Sequence, residues 1–176
     1  MQFETAPHPA HRDEVYPEHI VVRRPSAADI PGLAYLFGEM QRHYGRPVSD
    51  DTAIAAADLA CKQAEHSFDP RVLIAVVGEE IVGSLVMNVT FPAFELTRSL
   101  HIRDLYVAEC ARRCGVARLL MTAGARLAIS EGFSALEWTT DSGNAAARKM
   151  YEACGARQLD RTYYRLFDDD LIYAAG

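Results

Sequence analysis

The chain has 176 residues, is 49% hydrophobic and 24% charged, and carries a formal net charge of −6. That length and balance describe a globular protein of one domain with at most short appendages, able to bury a core without disulfides or metal. They exclude a general nucleic-acid binder, which needs a broad basic face, and no apolar run reaches the length of a membrane span.

The opening "MQFETAPHPAHRDEVYPE" (1–18) has no periodic pattern and no apolar segment of the signal-peptide kind. It reads as an irregular arm before a single domain over 19–176. "IVVRR" (20–24) predicts a short strand. Residues 26–45 predict a helix, because Ile30, Leu33, Phe37, Met40 and Tyr44 recur at helical spacing. Ser26 and Asp29 have capping-box spacing, and Pro31 leaves Asp29 as an alternative cap. Residues 50–66 predict a second helix with an acidic start. The period then changes to two. Residues 71–77, 79–91 and 98–108 predict three strands, the first pair joined by a tight turn at Gly78-Glu79-Glu80.

Further on, 116–132 predicts a helix closed by Gly132 and 134–140 a strand. Residues 143–155 predict another helix, closed by Gly155, and "RTYYRLF" (161–167) a last strand. The acidic run in "LFDDDL" (166–171) reads as a solvated turn, or as a patch that attracts a cationic amine. This order predicts a mixed α/β fold around one central sheet. Cys61, Cys110, Cys114 and Cys154 form no C-x-x-C pair and have no histidine cluster beside them. They predict no metal site, and reduced thiols in a cytoplasmic setting.

One stretch departs from the acidic average. From Cys110 to Ser130 there are four arginines and no acid, with Gly115 at a predicted helix start. A helix N-terminus presents unpaired N–H groups and a partial positive charge. A glycine there opens the backbone to an anion, and Arg112 and Arg113 add charge. The pattern fits a compact phosphate or pyrophosphate site. It is neither G-x-x-x-x-G-K-[ST] nor G-x-G-x-x-G.

R-x-x-G-x-A at 112–117, following "IRDLYV" (102–107), resembles the acyl-coenzyme A motif [QR]-x-x-G-x-[GA] of the GNAT family of N-acetyltransferases. "NAAARKMYEACGA" (144–156) resembles that family's N-x-x-A-x-x-x-Y-x-x-x-G, with Asn144, Ala147, Tyr151 and Gly155 in place. The resemblance covers about residues 20–167. It implies a mixed sheet with flanking helices, in which two parallel strands, 100–107 and 134–140, splay apart around acetyl-CoA. Backbone groups of Leu105, Tyr106 and Val107 would follow the pantetheine arm, one N–H meeting the thioester carbonyl. Arg112, Arg113, Cys114, Gly115, Val116 and Ala117 would cradle the pyrophosphate. Asn144 would meet the coenzyme, or cap the helix it begins, or both. Tyr151 would protonate the leaving thiolate, or fill a core position. Cys114 would lie at the pyrophosphate end, so the amine would attack the thioester directly.

A primary amine must lose a proton before attack, so a base is expected. Asp104 is favoured, with Glu39, Glu137, Asp141 and His101 as other candidates. Many members of the family carry an acid where this chain has Arg103. Strict alternation would place Arg103 and Asp104 on opposite sides of their strand. The acceptor site would draw on the first two helices and the loops after the strands, with Glu39, His43, Tyr44, Phe91, Phe94 and Trp138. The implied activity is acetyl transfer from acetyl-CoA to a primary amine of a small molecule, nearest the diamine and polyamine acetyltransferases. A protein or peptide acceptor, or a non-catalytic acyl-CoA sensor, are the alternatives. A homodimer through 161–167 is also expected.

Overall fold

A computed structural model describes residues 19–62, 64–92 and 96–176. The arm over 1–18 and Phe94 lie outside the described residues. The chain divides into two compact units, one ending at Gly143 and the other spanning Asn144–Gly176.

The first unit carries one five-stranded sheet in the order β1-β2-β3-β4-β5. The strands are β1 (Ile20–Arg23), β2 (Arg71–Val77), β3 (Glu80–Thr90), β4 (Ser99–Val107) and β5 (Leu136–Trp138). The first four run antiparallel, and β5 joins β4 in parallel. Its helices are α1 (Ile30–His43), α2 (Asp50–Cys61) and α3 (Val116–Ser130). A mixed sheet with flanking helices is the predicted fold class.

Two faces are covered differently. Leu33, Leu36 and Met40 of α1 and Ala53 and Ala57 of α2 form a buried cluster with Ile74, Val76 and Tyr106 of the sheet. On the other face α3 comes unusually close. A Cβ on Gly124 would lie 2.8 Å from Cδ2 of Leu85, so a larger residue would have to displace that methyl for the helix to rest at this depth. Register carries this two-faced pattern through two bulges, where one extra residue shifts the side-chain parity. Val76 pairs with Ile81 while Ala75 pairs with Gly83, which leaves Val82 as the extra residue. Val86 pairs with Asp104 while Met87 pairs with Ile102, which leaves Arg103 as the extra residue.

Local signals placed the helix ends. Ser26 and Asp29 make the capping box, and Asp29 also takes a bidentate pair from Arg23 at 2.7 Å. After α3, the Phe133 N–H reaches the Ala128 carbonyl and the Gly132 N–H that of Ile129, the pattern of a glycine-closed helix. Helix α2 stops at Cys61 rather than at residue 66, and β5 is shorter than the predicted 134–140.

The second unit holds α4 (Ala145–Ala153) and α5 (Asp168–Ala175). Gly155 closes α4 in the same way as Gly132 closes α3, with the Ala156 N–H on the Tyr151 carbonyl. The predicted strand 161–167 does not form, and residues 156–167 are irregular. Its aromatic residues suit a strand, but β structure needs a partner ladder, and its unit contains none. The acidic run is not a turn either. Asp168, Asp169 and Asp170 make the first turn of α5, where carboxylates favour the positive end of the helix.

Candidate active site

Strand β4 is the axis of the site. Its last pair with β5 is Ile102 with Trp138, and it then continues five residues, Arg103–Val107, with no β5 partner. Strand β5 ends at Trp138, so β4 runs on without a partner on that side, over the stretch where the resemblance implies a splay. Beyond Val107 comes a single 3-10 turn, Glu109–Ala111, and then the basic loop.

The loop turns through two left-handed residues, Arg113 (φ 73°) and Gly115 (φ 83°). Gly115 is the N-cap of α3, and no side chain caps that end. A Cβ on Gly115 would meet nothing within 4 Å, so it is the backbone angle and the open approach that call for glycine. Arg113 is exposed. Arg112 turns back instead: its Nε donates to the Val107 carbonyl at 3.1 Å, and its guanidinium lies 5.6 Å from the Tyr106 ring centroid. Cys114 is half-buried beside them. Val116 is fully buried, while Ala117 is half-exposed on the first turn of α3.

Tyr106 faces α1. Its hydroxyl donates to Glu39 Oε1 at 2.8 Å, and the same oxygen accepts the Glu109 N–H at 3.1 Å. Burial and then the Glu39 bond push the Tyr106 hydroxyl up to about 12. Glu39, predicted to bind acceptor, ties α1 to the end of β4. Leu105 and Val107 pair with Leu85 and Gly83, on the α3 side of the sheet.

Asp104 lies two residues before Tyr106, on the α1 and α2 side. Strict alternation through 102–107 is corrected by the bulge at Arg103: Ile102 pairs with Met87 on the α3 side, while Asp104 pairs with Val86 on the other. Asp104 lines an open pocket of about 180 Å³ with Phe37, Met40 and Gln41 of α1, Thr52 of α2 and Val48 between the helices. Burial pushes the Asp104 carboxyl above its usual range, against the pull of Arg103. Among the described residues no hydrogen bond or ion pair forms to this carboxylate. A half-buried carboxylate whose pKa is raised by burial, in a pocket, has the properties of a candidate proton acceptor.

The other predicted acceptor residues are dispersed. Tyr44 is 57% exposed just past α1, its hydroxyl raised first by burial and then by Asp104. The His43 ring lies 5.3 Å from that of Tyr44 and 6.1 Å from that of Tyr106. Phe91 is exposed and meets Phe68 edge-on. Trp138 is half-buried on β5, opposite Ile102. Among the other base candidates, Glu137 accepts from the Ser99 hydroxyl at 3.0 Å. Asp141 is exposed, and His101 is half-buried in β4. None of these lines the pocket. Phe37, Met40, Gln41, Val48 and Thr52 were not foreseen as site residues. Met40 and Phe37 were legible only as helix periodicity, and nothing in the sequence marks which helical residues stay open to solvent.

In the second unit, the Asn144 side chain accepts the Ala147 N–H at 3.1 Å and so caps α4. Tyr151 is half-buried on the same helix, and its carbonyl receives both Cys154 and Ala156 N–H groups.

The chain is similar to known proteins. An uncharacterized N-acetyltransferase of Bacillus subtilis (strain 168), YhfO, is 28% identical over 134 residues, 76% of this chain and 87% of that protein. The thialysine N-epsilon-acetyltransferase of Caenorhabditis elegans is 36% identical over 92 residues, 51% of this chain, which thus spans about half (52%) of that protein's length. An integron cassette protein from the mobile metagenome of V. cholerae has a solved structure with a TM-score of 0.75 and 28% identity, covering 89% of this chain and 98% of that one. No described helix is long and apolar enough to cross a membrane. Residues 35–156, which include both the basic loop and α4, match the acetyltransferase (GNAT) family, and the chain belongs to that family of acyltransferase enzymes.

Proposed function

We propose that the protein transfers an acetyl group from acetyl-CoA to a primary amine of a small molecule. Acetyltransferases of this family use acetyl-CoA. The observation that carries the reading is the free run of β4 leading into a left-handed glycine at the uncapped start of α3. The residues fit the coenzyme. Arg103–Val107 have no β5 partner, and the space beside Gly115 is open. Leu105, Tyr106 and Val107 would hold the pantetheine arm, and Arg112 to Ala117 with the α3 N-terminus the pyrophosphate. Asn144 would add a contact besides its cap.

When bound, acetyl-CoA supplies an acetyl thioester whose C–S bond breaks as the acceptor's N–C bond forms. Asp104 takes the proton that the ammonium must lose, directly or through water. The nitrogen's second proton, lost as the amide forms, passes to solvent, while the hydroxyl of Tyr151 gives its proton to the leaving thiolate and regains one from solvent. That role rests on the N-x-x-A-x-x-x-Y-x-x-x-G motif. Tyr151→Phe is expected to lower kcat by about 100-fold, and full turnover would remove the role. The name of the thialysine relative, an N-epsilon-acetyltransferase, supports a small amine as acceptor.

The test follows CoA thiol release against polyamines, amino acids, aminoglycosides and short peptides. Release with small amines supports the proposal, and release with peptides alone overturns it. The reading extends to one acyltransferase domain over 19–176, supported by a family match over 35–156 that reaches from the first unit into the start of the second. Four free cysteines support a cytoplasmic, reducing setting. Exposed Tyr163, Tyr164 and Leu166 support a homodimer through 161–167. A light-scattering mass near that of the 19.5 kDa monomer would overturn that last point.

A further inference from the structure

The pocket that holds Asp104 has a composition that selects among amines. Of the residues around it, Phe37, Met40, Val48, Ala53, Ala56 and Val86 are apolar. Gln41, Thr52 and Asp104 are polar, and only Asp104 is charged. Its volume of about 180 Å³ is small. A cavity of about 150 Å³ holds one benzene ring. The space therefore suits one six-membered ring or an aliphatic chain of about six carbons.

One carboxylate can compensate one cation. A ligand with two ammonium groups would set the second along Phe37, Met40 and Val48, partly stripped of water and with no second carboxylate to meet it. Arg103, whose charge is already felt at Asp104, adds repulsion to any further cation there. A ligand with one amine and an apolar tail has no such conflict. Its nitrogen meets Asp104, and its tail covers the side chains of α1 and α2.

We infer that the acceptor of this enzyme is a primary monoamine on a short apolar tail, aliphatic or aryl, and that the pocket rejects diamines, polyamines and basic amino acids. This rests on the proposed amine acetylation and narrows it. It departs from the diamine and polyamine class that the sequence resemblance favours. It departs equally from the thialysine relative, whose name describes an amine on an amino acid.

The test measures CoA thiol release at saturating acetyl-CoA with hexylamine and 2-phenylethylamine against 1,6-diaminohexane and ornithine. Calorimetric binding of each amine runs in parallel. Hexylamine is expected to exceed 1,6-diaminohexane by at least about 10-fold in kcat/KM, the range a pocket of this kind discriminates. Val48 is 40% exposed in the loop between the helices, so a charge there is tolerated by the fold. Val48→Asp supplies a second carboxylate and should shift the preference toward the diamine by about 10-fold or more. A diamine or ornithine used as well as hexylamine overturns the inference and leaves amine acetylation standing. Hexylamine bound in preference to the diamine but not acetylated upholds the pocket and overturns the transfer reading. If neither monoamine is bound, the inference is overturned.

Discussion

The turn from β4 into α3 is made of backbone, whereas the pocket beside it is made of side chains from four elements. In the turn, an unpaired strand end, two left-handed residues and an uncapped helix supply the groups, and side chains matter little beyond Gly115. In the pocket, α1, α2, β3 and β4 each contribute side chains, and a single carboxylate sets the chemistry. A backbone site constrains neighbouring residues and so leaves a short motif. A side-chain site constrains residues distant in sequence and leaves none. Under the proposed function the same contrast divides the ligands: the turn would take the constant coenzyme, and the pocket the variable acceptor.

The sharpest break between the two regions is Asp104→Asn. If the pocket holds the base, kcat/KM for the amine falls by about 100-fold or more while acetyl-CoA affinity stays within about twofold. Equal losses in both would dissolve the distinction. The same variant carries a stability signature. Burial raises the folded-state pKa of Asp104, so the folded protein prefers the protonated acid. That contribution is present below the ordinary carboxylate pKa and is lost as pH rises through the raised value. Asparagine removes the buried charge, so the variant should melt higher than the parent at neutral pH and lose that advantage in acid. The acid limb of kcat/KM should likewise sit above the ordinary carboxylate range.

The converse break is Gly115→Val. At φ 83° a β-branched residue is strained, at a cost of about 1–2 kcal/mol. Acetyl-CoA affinity by calorimetry should fall about 10-fold, with the ranking among amines unchanged. A smaller effect is expected where the regions are joined. Glu39 Oε1 holds both the Tyr106 hydroxyl and the Glu109 N–H. Glu39→Ala leaves two donors without their acceptor and should cost about 1–3 kcal/mol. Ultraviolet titration should find the Tyr106 hydroxyl below its present value of about 12.

What was legible follows the same division. The capping box at Ser26, the glycine stops at Gly132 and Gly155 and the period-two strands are local signals, and each formed where it was written. The segment 161–167 has strand-forming residues, but pairing is not local, and its unit offers no ladder. Asp168–Asp170 has the composition of a solvated turn and of a helix start alike. The bulge at Arg103 was invisible because period two cannot announce its own interruption. It is also the step that puts Asp104 on the pocket side, so the residue was nameable while its surroundings were not. Glu39 was nameable too, but its two hydrogen-bond partners come from β4 and the turn after it, far along the chain.

Asn144 tests whether a legible motif residue is there for chemistry or for folding. Its side chain accepts the Ala147 N–H at 3.1 Å, a bond that by itself accounts for asparagine at this position. Asn144→Ala should cost about 1 kcal/mol through the lost cap. Asn144→Asp keeps an acceptor oxygen at the positive end of α4 and should restore that stability. The two variants therefore separate the roles. If the cap is the whole reason for the residue, Asn144→Asp has wild-type melting and a wild-type KM for acetyl-CoA. If the amide also meets the coenzyme, the stable aspartate variant keeps a raised KM, because the side chain has lost its N–H donors and gained a charge. In that case a side-chain contact would be written in a local motif after all. The division between backbone-built and side-chain-built sites would then hold for the loop at Gly115 but not for the coenzyme site as a whole.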